Sequence, residues 1–218
     1  MKKRILSILL LCCMVLTMLP TTVLAADGPM DTIPKYDVSI DVYNRTSDIS
    51  IKDSRSYYIY SSVPDKLRDT WAWDKKIFIK GDKTAPHVFI DGVNIEMSPS
   101  SKGPAIELNK KASAYIYFIG KNSSLQGADG RAAIQKNRSE GQLYVLARTG
   151  TTVTCKGGDK AAGIGGSYAT RNISNGYYNG DMYGHGVNMH FGSQSNPDYW
   201  GGTIAAIGGE GGAGIGGG

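Results

Sequence analysis

A short glycine-rich block recurs along this chain, and each copy follows an acidic residue at the same offset. The block Ala-Gly-Ile-Gly-Gly occurs at residues 162–166 and 213–217, and a degenerate copy, Ala-Ala-Ile, occupies residues 132–134. The acidic residues five positions before each isoleucine are Asp129, Asp159 and Glu210. Recurrence at a fixed offset is typical of stacked copies of one structural unit. The sequence therefore predicts a solenoid whose functional surfaces lie on the faces that stacking creates.

The rest of the chain has the pattern of short strands. Runs of β-branched and aromatic residues are bounded by Gly, Asp, Asn and Ser, and no segment has a convincing helical period. The isoleucines of the blocks, with a fourth copy at residue 106, are separated by 28, 30 and 51 residues. The first two intervals suit one turn of a parallel β-helix with three strands. The third interval is the same turn with about twenty residues inserted.

We therefore predict an all-β fold, a right-handed parallel β-helix (solenoid), over residues 36–218 with a long insertion at about 167–200. Sandwiches and barrels also consist of short strands, but neither explains the recurrence. The glycines are expected at corners, where the backbone needs positive φ and close approach to the next coil. Because the last block stops in the middle of a repeat, we expect the helix to be truncated at its C-terminal end.

Residues 1–25 have the organisation of a secretory signal peptide. Lys2-Lys3-Arg4 precedes an apolar run over residues 5–19, and Val23-Leu24-Ala25 has small residues at the cleavage positions. A membrane anchor is the alternative, but the apolar run is shorter than the roughly 20 residues that a spanning helix needs. We expect an exported protein, with a linker over residues 26–35 and no membrane segment after cleavage.

Charge and cysteine content limit the partners of the mature chain. Removing Lys2-Lys3-Arg4 from a chain of net charge +5 leaves +2, which gives no reason to expect nucleic acid. Cys155 is then the one remaining cysteine, so an internal disulfide is impossible. It lies in an alternating strand pattern and is expected to pack as a small apolar residue. An exported chain without disulfides fits a bacterial surface better than the disulfide-rich secreted domains of animals.

Almost all of residues 36–218 resembles the β-helical region of large secreted surface proteins of Gram-positive bacteria, which are often labelled carbohydrate-binding-domain or adhesin-like proteins. Beside the Ala-Gly-Ile-Gly-Gly blocks, the segments that carry the resemblance are Tyr36-Asp37-Val38-Ser39-Ile40, Tyr57-Tyr58-Ile59-Tyr60, Ile90-Asp91-Gly92-Val93-Asn94-Ile95 and Gly120-Lys121-Asn122-Ser123-Ser124-Leu125. The resemblance implies a surface-displayed, non-catalytic scaffold with further repeats or anchoring modules in the same polypeptide.

The acidic residues of the repeat suggest a metal site. If the coils stack in register, the carboxylates of Asp129, Asp159 and Glu210 lie roughly 5 Å apart along the helix axis, where like charges destabilise one another. A bound Ca²⁺ would relieve this repulsion, because it prefers carboxylate and carbonyl oxygens. The alternative is that all three are ordinary solvated turn residues beside glycine.

The predicted insertion is the main candidate for ligand binding. It is rich in aromatic residues among asparagines and aspartates, and the candidate binding residues are Tyr177, Tyr178, Tyr183, Tyr199 and Trp200. Flat rings give sugars an apolar platform, while amides and carboxylates bond the hydroxyls around it. The alternative is a self-packed loop that covers the side of the coil. Trp71 and Trp73 could form another platform, but we expect them to close the N-terminal end of the core.

One motif suggests catalysis, but the sequence lacks the other elements that should accompany it. Gly184-His185-Gly186 resembles the Gly-His-Gly element of polygalacturonases, but the other elements of that family are absent, so no pair of acid/base carboxylates is identified. A lyase would need a base beside a Ca²⁺-bound uronate, and Arg131 next to Asp129 is the pair available. The three histidines have no short metal-ligand spacing, which argues against zinc.

The sequence thus predicts an exported, non-catalytic protein of the Gram-positive cell surface that binds a polysaccharide, a cell-surface glycan or another surface ligand. A purely structural stalk is the first alternative, and a polyuronate-processing lyase or hydrolase is the second. Retention on polysaccharide separates the first two, and release of reducing or unsaturated sugar identifies the third.

Overall fold

The computed structural model describes residues 34–98, 103–109, 111–136, 140–168, 186–192 and 199–217. The regular structure of these residues is almost entirely β-strand, with one short 3-10 helix at Asp65–Leu67. The candidate signal peptide lies outside the described residues, as does most of the linker. Within the described ranges, no helix has the length and apolar character needed to cross a membrane.

The strands form three parallel sheets. Sheet A contains β1 (Val38–Asp41), β3 (Ser56–Tyr60), β5 (His87–Asp91), β8 (Ala114–Ile119), β11 (Leu143–Ala147) and β14 (Met189–Phe191). Sheet B contains β2 (Ile49–Ile51), β4 (Ile77–Lys80), β7 (Ile106–Asn109), β10 (Ile134–Lys136), β13 (Ile164–Gly165) and β16 (Ile215–Gly216). Sheet C contains β6 (Asn94–Glu96), β9 (Ser123–Gln126), β12 (Thr152–Lys156) and β15 (Thr203–Ile207).

Each coil of the chain contributes one strand to sheet A and one to sheet B, and four of the coils also contribute one to sheet C. The last four coils run through sheets A, C and B in that order, and the strands of successive coils pair in parallel. The first two coils have strands in sheets A and B alone, and Trp73 forms an isolated parallel bridge to Ile95 where sheet C begins. The parallel β-helix predicted from the repeat is therefore confirmed.

The recurring isoleucine forms one inward column of the core. Its members pair in register on sheet B: Ile49, Ile77, Ile106, Ile134, Ile164 and Ile215. All but Ile215 are at most 2% exposed. Burial of one such side chain stabilises the fold by roughly 1.5–3 kcal/mol. Because no coil covers its own isoleucine, this stabilisation depends on the neighbouring coils.

Gly158 and Gly165 show why the repeat requires glycine. Gly165, in the Ala-Gly-Ile-Gly-Gly block, has a φ of 128°, and a Cβ there would overlap the carbonyl oxygen of Gly216 on the next coil. A Cβ on Gly158 would likewise overlap the carbonyl oxygen of Ala128. Gly158 lies at a corner, as the sequence predicts, whereas Gly165 lies in strand β13, and both let successive coils approach each other closely.

Part of the predicted insertion belongs to the coil itself. Residues 189–191 form strand β14, which pairs with β11 on sheet A. This strand divides the predicted insertion into a part that precedes it in the sequence and a part that follows it. Ser167, the first residue of the predicted insertion, is held against the preceding coil because its buried hydroxyl accepts a hydrogen bond from the Ala132 amide at 2.9 Å and donates one to the side chain of Gln135.

Trp71 and Trp73, which the sequence predicts at the N-terminal end of the core, are buried to different extents. Trp73 is 3% exposed, packs in the core, and donates a hydrogen bond from Nε1 to the carbonyl oxygen of Arg45 at 2.8 Å. Trp71 is half-buried and meets Tyr43 edge-on, with 5.3 Å between ring centroids. Both rings pack against the first coils of the core, so neither forms an open platform.

The close approach at Gly158 leads to a stability prediction. Gly158→Ala should lower the free energy of unfolding by about 3 kcal/mol, because the backbones of two coils must move apart. Gly150→Ala is the matched control, since Gly150 has a φ of 84° but open space around its Cα. It should cost only about 1 kcal/mol of backbone strain. Urea denaturation measures both, and an equal or larger effect at Gly150 would contradict the proposed packing.

Candidate functional site

The outer surface of sheet A is lined by aromatic side chains. In strands β5, β8 and β11, apolar residues facing the core alternate with outward residues, most of which are aromatic or histidine; the other outward residues are Asp91, Ile119 and Leu146. Because the strands pair in register, the outward rings lie directly above one another. One column consists of His87, Tyr115, Tyr144 and His190. A second consists of Tyr58, Phe89 and Tyr117, and we call the two columns together the aromatic face.

The rings of the first column are stacked face to face. Ring centroids are 4.7 Å apart between His87 and Tyr115, 4.5 Å between Tyr115 and Tyr144, and 4.4 Å between Tyr144 and His190. The interplanar angles are 5°, 8° and 13°. Each internal ring therefore covers the flat surfaces of its neighbours. The column exposes ring edges and their polar atoms rather than ring faces.

The polar atoms at these edges differ in their hydrogen bonding. His87 Nδ1 lies 3.1 Å from the Tyr117 hydroxyl, and His190 Nε2 lies 2.7 Å from the side-chain oxygen of Gln142. In the part of the chain that the structure describes, the hydroxyls of Tyr115 and Tyr144 form no hydrogen bond. Both tyrosines are half-buried. Two phenol groups on successive coils can therefore donate to, and accept from, an external partner.

Two predicted binding residues lie beside this face. Trp200 packs against Tyr117, with centroids 5.1 Å apart and planes tilted by 40°, so it does not continue the stack. Tyr199 meets Trp200 edge-on at 4.5 Å, and the Arg148 guanidinium lies 5.5 Å from the Tyr199 ring centroid. The other predicted binding residues, Tyr177, Tyr178 and Tyr183, lie outside the described residues.

Burial changes the acidity of two tyrosines in the second column. Burial of Tyr117 raises the pKa of its hydroxyl to about 12. Burial also raises the pKa of Tyr58, and this hydroxyl donates a 2.9 Å hydrogen bond to Asp91 Oδ2, which raises the pKa further. Both groups are therefore neutral hydrogen-bonding groups at physiological pH.

The acidic residues of the repeat lie at equivalent turns. The Gly130 amide donates to the carbonyl oxygen of Asp159, and the Lys160 amide donates to that of Glu210, both at 3.0 Å. The side chains of Asp129, Asp159 and Glu210 are all exposed, where water and salt weaken their repulsion. Among the described residues, no three or more His, Cys, Asp or Glu side chains are placed to hold a metal ion. Binding of Ca²⁺ stays a prediction.

The other reactive side chains suggested by the sequence are Cys155, His185 and Arg131. Cys155 is fully buried, which confirms the prediction that it packs as an apolar residue, and burial raises its pKa. His185 lies outside the described residues. Arg131 is half-buried, two positions along the same turn from the exposed Asp129.

The sequence contained a signal for the aromatic face that the repeat alone did not reveal. Tyr115 and Tyr117 alternate with inward residues along one strand, and Tyr144 follows Tyr115 by 29 residues, one coil later. Combining the strand period with the coil length therefore places these rings in register.

No family model, curated protein or solved structure matches this chain.

The burial of Tyr117 leads to a pH prediction. Because its folded pKa is above the value of about 10 in an unfolded chain, its stabilising contribution is complete below pH 10 and is lost as pH rises through 12. An alkaline titration of phenolate absorbance should show a late step that shrinks in Tyr117→Phe. The same titration in denaturant is the control, since all tyrosines should then ionise together. If Tyr117→Phe instead reduced the early step of the absorbance change, Tyr117 would not be the tyrosine that ionises late.

Proposed function

We propose that this protein is an exported, non-catalytic surface protein that binds an extended polysaccharide along the aromatic face. The observation that carries the proposal is the pair of hydroxyls on Tyr115 and Tyr144. These groups are half-buried, lie in register on successive coils, and form no hydrogen bond within the described residues. Polar groups held in this way by stacked rings are already ordered for a ligand and lose little entropy on binding.

A polysaccharide suits this surface because both partners repeat. Neighbouring coils place equivalent side chains roughly 4.8 Å apart along the solenoid axis. A polysaccharide chain also presents hydroxyl groups at a constant interval of about one sugar ring. A glycan lying along the axis could therefore meet one phenol edge per coil. Sugar and phenol hydroxyls both donate and accept hydrogen bonds, so several orientations of the glycan can be satisfied.

Stacking changes how an aromatic surface would recognise sugar. The flat surfaces of the internal rings are covered, so recognition by the first column would depend on ring edges and hydroxyls. Trp200 differs, since it is tilted and half-buried, and its indole offers an apolar surface beside the column. Tyr199 and Trp200 are thus proposed as a flanking contact for the same glycan.

Export to a Gram-positive cell surface is proposed on sequence grounds. The basic and apolar segments of residues 1–25 and the cleavage pattern at Val23-Leu24-Ala25 support a secretory signal. The resemblance of the glycine-rich blocks to those of surface β-helix proteins supports the location. Further modules of the same polypeptide would then provide attachment to the cell.

A purely structural stalk is the second candidate, and the ring stacking favours it. An aromatic pair contributes about 0.5–1.5 kcal/mol beyond the burial of its area. The three contacts from His87 to His190 would therefore stiffen the solenoid along its axis without any ligand. In that case the rings matter for stability, and the hydroxyls at their edges have no role.

Removing hydroxyls without removing rings separates the two candidates. In a Tyr115→Phe, Tyr144→Phe double variant, the stack is kept and the melting temperature should stay close to that of the unaltered protein. Retention on immobilised polysaccharide should fall at least about tenfold, because two hydrogen bonds of roughly 1 kcal/mol each are lost. Affinity electrophoresis through gels containing plant or host polysaccharides measures this. Tyr43→Phe, outside sheet A, is the control.

Two other results would contradict the proposed function. If the unaltered protein is not retained by any polysaccharide, while Tyr144→Ala strongly lowers the melting temperature, the aromatic face is structural. Release of reducing or unsaturated sugar during the same incubations would contradict a non-catalytic role.

A further inference from the structure

A polar groove lies on a different surface of the solenoid, over sheet C. Its floor is formed by the outward side chains of strands β9 and β12, and its wall is the segment that contains the 3-10 helix Asp65–Leu67. The volume is about 610 Å³, within the range of small-molecule sites. The residues that line it are all polar, charged or glycine.

The floor presents hydroxyl and amide groups from two successive coils. Ser124 and Thr154 are paired in register, and Thr152 lies beside Asn122. The Asn122 side-chain oxygen accepts a hydrogen bond from the Thr152 backbone amide at 2.8 Å. This bond fixes the side chain and leaves its NH₂ group able to donate to a ligand. Within the described residues, the hydroxyls of Ser124, Thr152 and Thr154 form no hydrogen bond.

The charges around the groove balance one another. Asp65 Oδ1 accepts a hydrogen bond from Lys121 Nζ at 2.7 Å and lies 3.4 Å from Arg68 Nε. Arg68 also donates to the carbonyl oxygen of Gly92 at 2.9 Å, which holds the wall against the corner of the coil. Asp69 supplies a second carboxylate. Two cations and two anions thus surround the hydroxyls, so neither a cationic nor an anionic ligand gains from net charge.

We propose that this groove is a second binding site, specific for an uncharged saccharide. An apolar ligand would desolvate several hydroxyl, carboxylate and amide groups of this lining without replacing their hydrogen bonds to water. Vicinal sugar hydroxyls both donate and accept, as do the Ser and Thr hydroxyls of the floor, while Asp69 accepts and the Asn122 amide donates. The volume accommodates two or three sugar rings rather than a long chain. Recognition therefore differs from that of the aromatic face, which offers ring edges.

The two sites lie on different sheets of the same coils. A glycan-bearing surface that engages both would be held more firmly than either site could hold it alone, because the second contact becomes intramolecular. The groove does not depend on the aromatic face for any of the contacts described above. Binding at one site can therefore be lost while binding at the other is kept.

The experiment uses neutral tetrasaccharides of glucose, mannose and galactose, with a galacturonic acid tetrasaccharide as the charged counterpart. Saturation-transfer NMR with the mature protein should detect binding of at least one neutral probe. A Ser124→Ala, Thr154→Val double variant should weaken that binding at least about fivefold, because two hydroxyl contacts are lost. Thr203→Val is the matched control, since Thr203 is an outward residue of the same sheet on β15 that does not line the groove.

The outcomes separate this site from the aromatic face. Binding that persists in the Tyr115→Phe, Tyr144→Phe variant but falls in the Ser124→Ala, Thr154→Val variant supports the groove. Chemical-shift changes at residues 121–124 and 152–154 in the unaltered protein would support it without any variant. Absence of binding by every neutral probe, no effect of the groove variant, or preferred binding of the galacturonic acid probe would each overturn the proposal.

Discussion

Parallel, in-register pairing between coils is the constraint on which the rest of this structure depends. It places each side chain beside the equivalent side chain of the next coil, so any property that recurs in the sequence becomes a continuous line in space. Isoleucine forms a core column through Ile106, Ile134 and Ile164, and tyrosine forms part of an outer column through Tyr115 and Tyr144. Apolar and aromatic groups gain from such neighbours, whereas like charges must be exposed to be tolerated.

The extent to which the sequence predicted this structure follows from the same constraint. The Ala-Gly-Ile-Gly-Gly blocks mark sheet B directly, because close approach of the corners permits little besides glycine and small residues. Ile49 and Ile77 continue the column but follow no such block, so the repeat alone did not identify them. The predicted insertion likewise contained the three residues of β14 without identifying them as a strand of the coil, because they carry no glycine block.

Prediction of the candidate binding surfaces was less complete for a different physical reason. Tyr199 and Trp200 were identified by composition; Trp200 packs against the aromatic face, and Tyr199 contacts Trp200. The rings that form most of this face occur one or two per strand, and they become a surface only after the coil length is known. The groove over sheet C could not be predicted from local pattern, because its wall and floor are separated by more than 50 residues, as Asp65 and Lys121 show.

Asp91 shows how the two outer surfaces are physically connected. Its Oδ2 accepts a hydrogen bond from the hydroxyl of Tyr58, in the second aromatic column, while its Oδ1 accepts one from the backbone amide of Lys121, beside the groove. One carboxylate thus fixes the corner at which sheet A gives way to sheet C. Because Tyr58, Asp91 and Lys121 belong to three successive coils, this one carboxylate links three coils at the edge between the two surfaces, and displacing either surface here would break a hydrogen bond to it.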